Sequence, residues 1–136
     1  MRRFTARLLN DRGAVTAELV LVTPMALTLI LLVVQFGLWL QAQHIVDVAA
    51  IQALNATRVD DGTVQAGTER AEHVLGTLGH RLVQARDIDV RRNSAEVDVR
   101  IEGRCLQVVP FLTVPVSAQA HGPVEQLPPA TAGLTP

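Results

Sequence analysis

The stretch Arg12–Pro24, RGAVTAELVLVTP, runs straight into MALTLILLVVQFGLWL at residues 25–40. After Glu18 no Asp, Glu, Lys or Arg occurs until Asp47. The 22 residues Leu19–Leu40 make a helix of roughly 33 Å, enough for a hydrocarbon slab of about 30 Å. Pro24 and Gly37 are tolerated in such a helix, and Trp39 at its far end suits a membrane interface. A chain of 136 residues is too small to surround a helix this apolar, so a bilayer is the expected solvent. Glu18 is then the anomaly, since a carboxylate in a membrane helix costs roughly 2.5–3.5 kcal/mol on insertion scales.

Arg2, Arg3, Arg7 and Arg12 precede the segment against a single acid, Asp11. Basic flanks stay cytoplasmic, so the N-terminus is expected inside and the chain from about Gln41 outside. A cleaved secretory signal fits less well. Its apolar region is typically about 7–15 residues and ends at a small-x-small site, whereas Val48-Ala49-Ala50 lies within helical-looking sequence. The Arg2-Arg3 pair alone is a weak twin-arginine signal.

A cut between Gly13 and Ala14, before the apolar run, fits better. Gly passes easily through a peptidase cleft because it has no side chain and bends freely. Such a cut leaves a free amine on Ala14 and makes Glu18 the fifth residue of the mature chain. In helices packed side by side, the acid of one subunit then meets the amine of its neighbour, offsetting carboxylate burial and setting the axial stagger. The plainer alternative, Glu18 as an interfacial residue within reach of headgroups, stays open.

These residues resemble the TadE-like pseudopilins of tight-adherence pilus systems. Members typically show Arg-Gly, a Glu at this offset, a Pro six residues later and an acid-Phe-Gly triplet near the far end. Arg12, Gly13, Glu18, Pro24, Phe36 and Gly37 match by position, and Gly122-Pro123-Val124-Glu125 resembles a short element near the C-terminus of many members. Leu19 replaces a common Phe, and Gln35 stands where an acid is common. The resemblance implies processing by a prepilin peptidase, lateral contact with other pilin-like subunits through the membrane helix, and a role in assembling or anchoring a surface pilus or related secretion machine.

Beyond the membrane, Gln41–Val59 continues the helix, since it is rich in Ala, Gln and Leu and holds no Gly or Pro. Unbroken from Ala14 to Val59 it is about 69 Å long, and Asp60-Asp61-Gly62 ends it. Ala71, Leu75, Leu78, Leu82 and Ala85 recur at helical spacing and predict a second, amphipathic helix over 64–85. The period then becomes two. Ile88 and Val90, a turn at Arg92–Ser94, then Val97, Val99 and Ile101 predict a hairpin. Pro110 and Pro115 make 106–122 an edge strand or two short strands. The expected fold class is thus α+β and membrane-anchored: a long N-terminal transmembrane helix continuing as a stalk, a second helix, and a small antiparallel sheet of about three strands. The expected divisions are a basic cytoplasmic leader (1–13), the transmembrane helix (14–40), an extracytoplasmic domain (41–122) and a disordered tail (123–136).

The formal net charge is -1, which gives no basic field for nucleic acid. No nucleophile motif, phosphate loop or paired-carboxylate signature occurs, so no enzyme and no cofactor is expected. His73 and His80, seven apart, are poorly spaced for zinc and read as surface residues; no metal is expected. Cys105 is the single cysteine. Three readings of it stand: a buried small hydrophobe continuing the parity of Val97, Val99 and Ile101, an intermolecular disulfide, or a reactive thiol. The competing function is an uncleaved single-pass protein of the inner, cytoplasmic membrane whose outer domain binds a partner in an envelope complex.

Overall fold

The computed structural model describes residues 5–126, with the backbone alone for residues 5–12 and Ala14. Helix α1, Thr5–Arg58, has 54 residues and is about 81 Å long. It begins nine residues before Ala14 and ends at Arg58, one residue short of the expected end at Val59. The apolar side chains from Val15 to Val34 are exposed along its lower part. Higher up, Ala42, Ile45, Val46, Ala49, Ala50, Ala53 and Leu54 recur every three or four residues and are buried. The alanines keep this face shallow, so other elements pack close to the helix axis. The upper helix, the expected stalk, lies against the other elements as one wall of the core.

Helix α2, Val64–Leu78, starts at Thr63, whose Oγ1 accepts from the Ala66 N–H at 3.1 Å. It buries Gly67, Ala71, Val74 and Leu75. The expectation of a helix reaching Ala85 is corrected here. The Gly79 N–H bonds the Leu75 carbonyl (3.0 Å), and the Leu82 and Val83 N–H groups then turn back to the Gly79 carbonyl (3.1 and 2.9 Å). The chain reverses and enters a strand at Val83, which is buried. Leu82 and Ala85 kept the helical period by coincidence, and Leu78 is exposed.

Strands β1 (Val83–Arg92), β2 (Glu96–Cys105) and β3 (Pro115–Pro123) form one antiparallel sheet in the order β1-β2-β3. Val90, Val97, Val99, Ile101, Val116 and Ala118 are buried, while Asp89, Asp98, Arg100, Glu102 and Gln119 alternate with them on the opposite face. Asn93 makes the hairpin turn, its Oδ1 accepting from the N–H groups of Ala95 (2.9 Å) and Glu96 (2.6 Å). A bulge between Gln84 and Asp87 places Ala85 at φ 48°. Residues 106–122, expected as extended throughout, divide into a loop over 106–114 and the edge strand β3, with prolines at both strand ends.

The ordered chain also runs past the expected start of the tail at Pro123. The Val124 N–H bonds the Ala95 carbonyl (3.0 Å) and the Glu125 N–H bonds the Arg58 carbonyl (2.8 Å). Arg58 and Glu125 also pair at 2.8 Å. The rest of the expected tail, 127–136, and the first four residues of the leader lie outside the described residues.

Helices α1 and α2 meet most tightly at Gly67. A Cβ there would fall on Thr57 Oγ1 and lie 3.2 Å from the Ala53 carbonyl oxygen and 3.3 Å from Val90 Cγ1. Gly67→Ala is therefore expected to destabilise the domain by about 1–3 kcal/mol, the usual range for overpacking. Adding Thr57→Ala removes the obstructing hydroxyl and should recover part of the loss. Thermal unfolding of the four proteins of this cycle in detergent checks it; additive losses would contradict the contact.

Candidate functional site

The candidate residues Gly13, Glu18 and Pro24 all lie on the lower part of α1. Gly13 is helical and exposed, with open space around a notional Cβ. Glu18 is exposed and lies about 7.5 Å above it along the axis. Glu18 and Pro24 fall about 120° apart around the helix, so they present different faces. Among the described residues no other element covers them, and the segment buries almost nothing against its own domain. Ala14 is described by its backbone alone, and the proposed pairing partner of Glu18 belongs to a neighbouring subunit.

Two hydroxyls on this segment are satisfied inside the helix. The Thr23 hydroxyl donates to the Leu19 carbonyl (2.7 Å) and the Thr28 hydroxyl to the Pro24 carbonyl (2.8 Å). That is what an apolar solvent requires, because lipid offers no competing hydrogen bond. Among the described residues one helix is long and apolar enough to cross a bilayer, and it is this one. Its lack of cover argues against a buried core helix. Its unbroken run through Val48–Ala50 into the folded domain argues against a signal cut there.

The sequence missed the residue that joins the two parts. Gln35, which stands where the TadE-like pattern this chain resembles commonly has an acid, is 2% exposed. Its Oε1 accepts from the N–H groups of Val108 (2.7 Å) and Val109 (3.2 Å), while its Nε2 donates to the Leu106 carbonyl (3.0 Å). A carboxylate could supply the same acceptor, but only the amide also supplies the donor. One turn higher, Trp39 Nε1 donates to the Pro115 carbonyl at 3.2 Å. Next, Gln43 acts like a strand on the edge of β3, donating to the Ser117 carbonyl (2.6 Å) and accepting from its N–H (3.3 Å). The folded domain thus begins at Gln35, inside the segment 14–40 read as membrane helix. The available signal was a lone amide side chain in an uncharged apolar run.

Cys105 is free and 3% exposed. It continues the inward parity of Val97, Val99 and Ile101, and desolvation by burial holds its thiol above the ordinary range. This is the surrounding of an inert packing cysteine rather than of a reactive one. His73 and His80 are both exposed, and among the described residues no cluster of metal-ligating side chains occurs.

Comparison with known families finds the family described as TadE-like protein over residues 13–54. The match begins at Gly13, takes in Glu18, Pro24 and Gln35, and ends where α1 has nearly finished packing on the sheet. The TadE-like resemblance seen in the sequence is thus found independently, over about a third of the chain. No curated protein and no solved structure matches it.

Two outcomes follow from this geometry. Gln35→Leu keeps the bulk but takes the acceptor from the part-buried amides of Val108 and Val109, at no more than about 1–3 kcal/mol for each, the cost of a fully buried group left unpaired. Hydrogen exchange should accelerate at Val108 and Val109 while Val97 and Val99 stay protected. For Cys105, a water-soluble maleimide should label the folded chain far more slowly than the chain in guanidinium. Equal rates would return Cys105 to the reactive class.

Proposed function

We propose that this chain is a TadE-like pseudopilin that helps assemble or anchor a surface pilus or a related secretion machine. The observation that carries this reading is the family match over residues 13–54, on a helix whose lower half is apolar and uncovered. The TadE-like family is one of pilus-associated structural proteins, which agrees with a chain bearing no catalytic signature. In this reading a prepilin peptidase cuts between Gly13 and Ala14 at the cytoplasmic face of the inner membrane. The N-terminus stays inside and the α+β domain stands outside. Glu18 pairs with the neighbour's new amine, and the exposed helix faces, including the one bearing Pro24, pack against other pilin-like subunits.

One observation favours a second reading, an uncleaved single-pass protein whose outer domain binds an envelope partner. Helix α1 runs through Gly13 without a break, so a peptidase must first unwind it. Gly lowers that barrier, since it weakens a helix interior by about 1 kcal/mol relative to Ala.

N-terminal sequencing of protein extracted from the native membrane separates the two. The expected mature chain starts at Ala14, and Gly13→Val should leave it uncut but still inserted. A chain that keeps Gly13 while the peptidase is active rejects processing. Glu18→Gln then tests the pairing, through crosslinking of single cysteines placed near Val22 and Leu29 in a Cys105→Ser background. Pairing predicts normal cleavage with reduced crosslinking, by up to a few kcal/mol of association, because an unpaired charge is left in a low-dielectric site. Equal crosslinking with Glu or Gln would leave Glu18 as a headgroup-level residue.

A further inference from the structure

The loop over 106–114 carries apolar side chains that the domain does not use. From Leu106 to Ala120 the chain holds no charged residue. At the loop tip Phe111 is fully exposed, at 101% of its reference area, and Leu112 beside it is also exposed. Phe111 has φ 66°, a left-handed conformation that a bulky side chain rarely adopts. The backbone thus holds a large apolar ring in an unfavourable conformation, pointed away from the core, with no packing in return from this chain.

The position of the loop says what covers it. Gln35 binds the N–H groups of Val108 and Val109 and the Leu106 carbonyl, and the base of the loop is also tied by the Cys105 N–H to the Val114 carbonyl and by the Leu106 N–H to the Leu82 carbonyl. The tip therefore lies beside the level of Gln35. Below that level α1 is exposed for the 20 residues Val15–Val34, apolar apart from Glu18 near its lower end and three threonines, about 30 Å and the thickness of a hydrocarbon slab. Phe36 and Trp39 stand at the same boundary, their rings 5.7 Å apart. Three of the chain's four aromatic residues thus gather where a membrane interface would fall, the depth that aromatic side chains favour.

We propose that the Phe111–Leu112 tip inserts into the bilayer interface beside α1, as a second membrane contact that orients the domain on the lipid surface. A tip of two side chains is far below the area that a stable protein interface buries, about 1,000 Å² or more. It is sufficient for a lipid surface already held close by the helix. The inference rests on α1 spanning the membrane, and the test separates the two claims.

The full chain is reconstituted in vesicles with an environment-sensitive fluorophore on a single cysteine, in a Cys105→Ala background. The sites are Phe111→Cys at the tip, Leu29→Cys on the bare helix, and Ser94→Cys at the hairpin turn. Brominated phospholipids, labelled near the headgroup or near the chain end, serve as quenchers. The expected result is loss of emission at 111, stronger with the headgroup-proximal bromine, loss at 29, and none at 94. Loss at 29 without loss at 111 overturns the loop insertion and keeps the spanning helix. Blue-shifted emission at 111 without quenching also overturns it, assigning the tip to a neighbouring protein. No loss at either 29 or 111 rejects the spanning helix, and the loop insertion with it.

Discussion

One helix in this protein lives in two solvents, and the change falls at Gln35. Below it, α1 presents apolar side chains that only lipid or another helix can cover. Above it, the same helix presents a shallow alanine face to its own domain. A polar side chain at such a boundary is costly unless every atom is paired. Gln35 meets that condition with two accepted bonds and one donated bond to a single loop. The domain is therefore built directly onto the helix, with no linker between membrane segment and fold.

The rest of the packing follows from that arrangement. With α1 as a wall, α2 crosses it at Gly67, where any side chain would strike Thr57. The sheet then closes the core from the other side, through Val97, Val99 and Ile101. Its two exits are tied back to α1. Gln43 and Trp39 hold the start of β3, and Arg58 holds Glu125 beyond its end. At the top, the Arg92 guanidinium donates to the Thr57 carbonyl at 2.9 Å, giving the carbonyl end of α1 a cation, as its dipole favours.

Much of this was legible because periodicity is a local signal. The apolar run, the alternation in β1 and β2, and the helical stripe of α2 each declare themselves within a dozen residues. The errors fell where two local signals overlapped. Leu82 and Ala85 extend the helical period of α2, yet Gly79 had already ended it, and Val83 belongs to the sheet. The loop over 106–114 reads as strand because it is apolar, but Phe111 and Leu112 at its tip are exposed rather than part of the core. Gln35 read only as a departure from a family pattern, since its partners lie some 70 residues away in sequence. Gly13 and Glu18 were legible as a spacing; their proposed role lies between chains, which no single chain displays.

The absence of a linker has a mechanical consequence for the proposed assembly. Glu18 and Gln35 are joined by helix alone, about 25 Å of it. An ion pair at Glu18 that fixes the stagger of two helices then fixes the stagger of their domains as well. A register slip of one helical turn moves the whole domain by about 5.4 Å, carrying the loop at Phe111 out of any depth it has in the lipid. In the proposed assembly, lateral register and membrane depth are thus coupled through one continuous helical rod. Pro24 lies between the two ends of that rod and removes an amide from the helical ladder. In the proposed assembly a bend there would change the splay of neighbouring domains, while the stagger is set at Glu18, six positions away.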